Sequence, residues 1–122
     1  MTGGPQSAIA LAHLRLPVSD VAQAVSFFEA IGARADVRQE SFAVVELRDR
    51  TRLQLRQSAE PVAGAPLQFD FKVGDIDAAW RDYDAKGLNP GEITRRRPGH
   101  DSFVVTGPDA WEVQINSAFN PA

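Results

Sequence analysis

The sequence predicts an α+β fold in which two βαβββ modules form a curled mixed sheet, a half-barrel, with the helices on its outer face. Three observations carry that prediction. Two helical segments of equal length recur at one offset, each is preceded by a strand and followed by strand-like stretches, and the strands alternate apolar with polar residues. The offset is 55 residues: Val18 matches Val73, Asp20 matches Asp75, Phe28 matches Tyr83 and Gly32 matches Gly87.

Residues 1–8 read as a flexible tail. "IALAHLRLPV" is the first strand, with Leu14, Leu16 and Val18 on one face and His13 and Arg15 on the other. In "SDVAQAVSFFEAIG", Val21, Ala24, Val25, Phe28 and Ile31 recur at helical spacing. Asp20 caps that helix, with Gln23 three residues on, and Gly32 suits its left-handed stop. "ARADVRQE", "SFAVVEL" and "TRLQLRQ" complete a first module over 9–57, the last of them setting Leu53 and Leu55 against Arg52, Gln54 and Arg56. "SAEPVAGAP" (58–66) breaks both periods and is the linker.

The second module, 67–122, repeats the plan. "PLQFDFKV" sets Leu67, Phe69, Phe71 and Val73 against Gln68, Asp70 and Lys72. The helix "GDIDAAWRDYDAKG" has Asp75 as its cap, Gly87 as its stop and Ile76, Ala79, Trp80 and Tyr83 as its apolar face, so Trp80 and Tyr83 are core residues. "GEITRRR", "DSFVVTG" and "AWEVQIN" follow, the last placing Trp111, Val113 and Ile115 opposite Glu112, Gln114 and Asn116. The apolar face of every strand must pack on a helix, which leaves the polar faces to line the concave side. His13, Arg15, Arg52, Gln54, Arg56, Gln68, Asp70, Lys72, Glu112, Gln114 and Asn116 are its candidate lining residues. The phase of Phe42 and Phe103 is open, and His100, after Pro98 and Gly99, reads as a loop residue.

Composition bounds the chemistry. At 122 residues the chain is one domain, and the absence of cysteine excludes disulfides, a thiol nucleophile and thiolate-bound metal. A net charge of −3 supplies no field for nucleic acid, and the short cluster "TRRRPGH" reads as a solvated strand end and loop. No apolar run is long enough to span a bilayer, and "MTGGPQS" lacks the pattern of a secretory signal, so a cytoplasmic location without membrane partners is expected.

The duplicated module, "HLRLPVSD" leading into "FFEAIG", "FDFKVGDIDAAW" and the closing "GPDAWEVQI" together resemble the vicinal oxygen chelate superfamily, which includes glyoxalase I, extradiol dioxygenases, methylmalonyl-CoA epimerase and bleomycin resistance proteins. The resemblance spans Ile9 to Asn116. It implies a metal site with one ligand from the first and last strand of each module, and those positions fall on His13, Gln54, Gln68 and Gln114. Where the family's enzymes carry glutamate, Gln54 and Gln114 supply neither charge for a divalent ion nor a titratable base, so no cofactor is expected and a metal is disfavoured. Asp70 and Glu112 lie on the same faces but two residues away, about 6–7 Å along a strand. The family's closing turn, D-P-D-G, reads "GPDA" here.

The resemblance is nearest in type to the small metal-free resistance and binding proteins. It implies non-catalytic sequestration of an antibiotic or metabolite, with His13, Arg15, Arg52, Gln54, Arg56, Gln68, Asp70, Glu112 and Gln114 as ligand-binding residues and none catalytic. The arginines favour a planar or anionic small molecule over cationic bleomycin. A diverged metal-dependent isomerase or lyase, and a dimeric module without ligand, remain as alternatives. Unpaired strand edges make a homodimer the expected assembly.

Overall fold

The computed structural model describes residues 7–122, so the tail expected over 1–8 lies outside the described residues except for Ser7 and Ala8. The first strand, β1 (His13–Val18), leads into α1 (Val21–Ala30), whose N-terminus is capped as the sequence predicts: the Gln23 amide donates to the Asp20 carboxylate at 3.0 Å. β2 (Arg34–Arg38), β3 (Phe42–Glu46) and β4 (Arg52–Gln57) complete a four-stranded sheet in the order β1-β4-β3-β2, with β1 parallel to β4. The second half holds β5 (Phe71–Lys72), α2 (Ile76–Ala85), β6 (Gly99–Thr106) and β7 (Glu112–Asn120), and its three strands run β5-β7-β6. Asp75 caps α2 by accepting from the Ala78 amide at 3.0 Å. Gly32 and Gly87 both have positive φ, as helix stops require.

Two strands differ from expectation. "GEITRRR" carries only an isolated Thr94–Ser102 bridge. It still runs beside β6, with the Gly91 amide donating to the Val104 carbonyl, but Pro90 and Pro98 bracket it and Arg95 and Arg97 turn toward carboxylates. "PLQFDFKV" is the other. Its first bridge pairs Pro66 with Glu112 and its next pairs Phe71 with Ile115, so the chain bulges over Gln68 to Asp70, which belong to no strand.

The duplication persists beyond the helices at a longer offset. The pair Val45–Leu53 recurs as Val105–Val113, sixty positions on in both strands. The turns entering β4 and β7 recur with it. Leu47 donates to the Thr51 carbonyl at 2.8 Å and Gly107 to the Trp111 carbonyl at 2.9 Å, while Asp49 and Arg50, like Asp109 and Ala110, adopt positive φ.

One core runs through both halves. Val25 and Phe28 of α1 pack with Ala43, Val45, Leu53 and Leu55 of the first sheet and with Phe103, Val105, Val113 and Ile115 of the second. Trp111 is wholly buried at the junction, stacked on Phe28 at 5.7 Å and edge-on to Phe27 at 6.1 Å, and its indole N–H donates to the Val62 carbonyl at 2.7 Å. This ring explains the glycine that opens "GPDAW". A Cβ at Gly107 would stand 2.7 Å from Trp111 Cε3 and 3.3 Å from two atoms of the Phe27 ring. Gly107→Ala is therefore expected to destabilise the fold by about 1–3 kcal/mol, measured by urea denaturation, although its φ of −96° suits any residue.

The basic cluster has a fixed partner. Asp101, buried on β6, accepts from the Arg96 amide at 3.1 Å, Arg95 Nη1 at 3.3 Å, Arg97 Nη1 at 3.2 Å and Asn120 Nδ2 at 3.0 Å. Arg95 also reaches Asp77 of α2 at 2.6 Å. The Arg96 amide above all, then the two guanidinium groups, hold the Asp101 carboxyl below its ordinary value of 3.8, and Arg95 lowers Asp77 in the same way. Lowered native values mean that the unfolded chain binds more protons in acid, so this stabilisation is present above the ordinary value and lost progressively as pH falls below it through the lowered native values. The thermal midpoint is expected to hold between pH 7 and about pH 5 and to drop below about pH 4, with a shallower acid limb in Asp101→Asn.

Candidate functional site

The polar face of the first sheet is built in rows, because residues paired across neighbouring strands share a face. The outermost row is His13, Arg52, Glu46 and Arg34. Within it Arg34 is ion-paired with Glu46, and Arg52 lies 3.7 Å from Glu46 and 3.2 Å from Asp36, where the register of β2 slips. The hydrogen bond from Arg34, with the charges of Arg34 and Arg52 behind it, holds the Glu46 carboxyl below its ordinary range. The middle row is Arg15, Gln54, Val44 and Val37, and the third is Pro17, Arg56 and Phe42, with the Arg56 guanidinium 4.9 Å above the Phe42 ring.

Arg15, Gln54 and Arg56 come together, with Leu16, Pro17, Gln57 and Ser58, around a depression of about 230 Å³. Among the described residues neither Arg15 nor Arg56 is paired with a carboxylate, unlike Arg52. His13 is exposed at the end of the face.

The second sheet mirrors part of this arrangement. Gln114 sits beside Val104 as Gln54 sits beside Val44, and Glu112 pairs with Thr106. Gln114 is half-buried and its Nε2 donates to Asn116 Oδ1 at 2.9 Å, on the same face. The bulge before β5 removes Gln68 from the place opposite the last strand that His13 holds in the first half, since Pro66 stands against Glu112 instead. Asp70 lines a separate, larger cavity between the halves, whereas Lys72 pairs with Asn116 and keeps the face of Gln114. Among the described residues no three His, Asp or Glu side chains gather in ligating range.

Some contributions escape a sequence reading. Phe42 lies on the polar face beneath Arg56, whereas Phe103 is buried in the core. Val44 and Val104 floor the two glutamine positions; consecutive valines in "FAVVE" and "SFVVT" mean that one of each pair must face away from the core, a signal present but easily read as a buried run. His100 is not a free loop residue. It opens β6, where Nδ1 lies 2.7 Å from the Ser117 carbonyl and the ring meets Phe119 edge-on, because β7 runs on to Asn120 and pairs with it.

Comparison with known proteins follows this geometry. Residues 10–115 match the family described as the Glyoxalase/Bleomycin resistance protein/Dioxygenase superfamily. No curated protein sequence matches the chain. Among solved structures, the chain is similar to TnmS3, an antibiotic binding protein from a Streptomyces species, at 20% identity and a TM-score of 0.77 over 96% of this chain and 100% of that one. Lactoylglutathione lyase from Agrobacterium tumefaciens aligns at 18% identity and a TM-score of 0.71, over 94% and 96% of the two chains. An integron cassette protein from the mobile metagenome of V. cholerae aligns at 19% identity and 0.74, over 94% and 99%. At these identities the likeness is one of fold.

Proposed function

The chain belongs to the glyoxalase/bleomycin resistance protein/dioxygenase superfamily, and from that premise we propose that it binds a planar, anionic small molecule on the concave polar face and does not transform it. The observation that carries this reading is the pair of guanidinium groups, Arg15 and Arg56, flanking Gln54 without a carboxylate to neutralise either. Guanidinium forks to carboxylate and stacks on flat rings, and the Phe42 ring beneath Arg56 extends the stacking surface. The antibiotic binding relative supports sequestration as the role.

Donor chemistry argues against a resident metal. His13, Gln54 and Gln114 offer one imidazole and two neutral carboxamides, Gln68 is out of register, and Glu46, the carboxylate in the row of His13, is already paired with Arg34 and Arg52. Asp70 does not substitute, since it lines the other cavity.

The reading includes a homodimer and a cytoplasmic location. β1 and β5 each have a neighbouring strand on one side only, and a depression of about 230 Å³ is smaller than the roughly 300–1,000 Å³ of a typical small-molecule pocket, so a second copy would complete the crevice. Among the described residues no helix is long and apolar enough to cross a membrane. The test is isothermal titration with 2-naphthoate, alone and with Zn²⁺ or Ni²⁺, beside sedimentation of the same sample. Saturable binding of 2-naphthoate by a metal-free dimer is expected; binding that requires metal would restore the isomerase or lyase reading.

A further inference from the structure

The internal duplication leaves one of its two equivalent junctions filled and the other open. At the filled junction the turn Gly107–Trp111 meets α1. There Trp111 packs on Phe27 and Phe28, and the Asp109 carboxylate accepts from the Ser19 amide at 3.0 Å and from the Ser19 hydroxyl. At the other, the matching turn Leu47–Thr51 meets α2 across a cavity of about 540 Å³. Each partner there is smaller or absent. Thr51 stands where the first junction has Trp111, and Gly74 stands where it has Ser19, so the ring and the clasp are both missing. Asp49, the twin of Asp109, has no hydrogen-bond or ion-pair partner among the described residues and lines the cavity.

The walls are apolar and aromatic: Leu14, Ile31, Phe69, Phe71 and Tyr83. Tyr83 is held by a 2.7 Å hydrogen bond to the Ile31 carbonyl, and its phenol is pushed up to about 12 by burial, so it presents a neutral ring. Charge of both signs lines the same cavity, Asp49 and Asp70 with Arg48. The volume lies in the range of small-molecule pockets, and the opening keeps it accessible. The geometry points to a second binding site, between the modules, for an aromatic zwitterion of the free aromatic amino acid class. Its ring occupies the space that Trp111 fills at the other junction, its ammonium meets Asp49 and Asp70, and its carboxylate meets Arg48. This site is distinct from the Arg15–Arg56 face and does not depend on that reading.

The experiment is calorimetric titration of the full chain with L-tryptophan, with tryptamine and indole-3-propionate as probes that each lack one charge. L-tryptophan is expected to bind saturably and each single-charge probe about tenfold more weakly, because a charge-assisted hydrogen bond is lost. Asp49→Asn, tolerated at positive φ, is expected to reduce the preference for L-tryptophan over indole-3-propionate, with Asp70 left as the one carboxylate for the ammonium. The double variant Leu47→Gly/Thr51→Trp copies the filled junction and is expected to eliminate binding of all three. Should it fail to fold, the Asp49→Asn selectivity decides. No saturation at millimolar L-tryptophan, an unchanged preference in Asp49→Asn, or binding lost in Arg15→Ala/Arg56→Ala instead would each overturn the assignment.

Discussion

Trp111→Ala is expected to lower the stability of the chain by about 3–5 kcal/mol, the range for deleting a buried indole, against a total of about 5–15 kcal/mol for a domain of this kind. The loss has three sources. The ring is wholly buried, so its apolar contacts with Phe27 and Phe28 vanish and leave a cavity at the junction of the two halves. The Val62 carbonyl, which accepts the indole N–H, is left without that donor. The turn it closes also loosens, because Gly107 and Trp111 are bonded across it and Asp109 in that turn is clasped by Ser19. At about 2–8 °C per kcal/mol the thermal midpoint should fall by more than about 6 °C. Trp111→Phe, which keeps a ring but loses the N–H, should fall between the two. A cost below about 1 kcal/mol for Trp111→Ala would mean that the halves are joined elsewhere, through Phe28–Phe71 and the Tyr83 hydroxyl on Ile31.

Much of this fold is legible because its signals are local. The caps Asp20 and Asp75, the stops Gly32 and Gly87 and the apolar helix faces all follow from chemistry within one or two turns, and the 55-residue offset ties them together. Trp111 and Tyr83 on the core phase follow from alternation and helical spacing alone. The failures have physical causes of longer range. Alternation assumes an unbroken strand, and "PLQFDFKV" bulges, which takes Gln68 out of register and sets Asp70 at the inter-module cavity, while Lys72 keeps the expected face opposite Asn116. The arginines of "GEITRRR" answer to Asp77 and Asp101, on other elements, and no spacing rule announces that. Residue type identifies the candidate site's arginines, yet not which are neutralised: Arg52 and Arg56 are four residues apart on one strand face, and only the fold brings Asp36 and Glu46 to the first. The departure from D-P-D-G is legible only afterwards, since the glycine that replaces the first aspartate is the space the Trp111 ring requires.

That difference between arginines sets the second large effect. Arg15→Glu/Arg56→Glu is expected to weaken 2-naphthoate binding at least about 100-fold, since two charge-assisted contacts of about 1.5–3 kcal/mol each become repulsions. Stability should move little. Neither side chain has an acidic partner to lose, and the Arg56 contact with Phe42 is worth about 0.5–1 kcal/mol at an exposed site. Arg52→Ala is the control: a guanidinium already held by Asp36 and Glu46 has less to offer an anion, so its removal should cost binding far less. The salt dependence separates charge from shape. Binding by the unaltered chain should weaken as ionic strength rises from 0.01 to 1 M, where the screening length falls from about 30 to 3 Å, and residual binding by the reversed variant should not. If instead both proteins bind 2-naphthoate alike, the unpaired guanidinium groups are a solvated face, and the concave surface belongs to a partner chain rather than to a ligand.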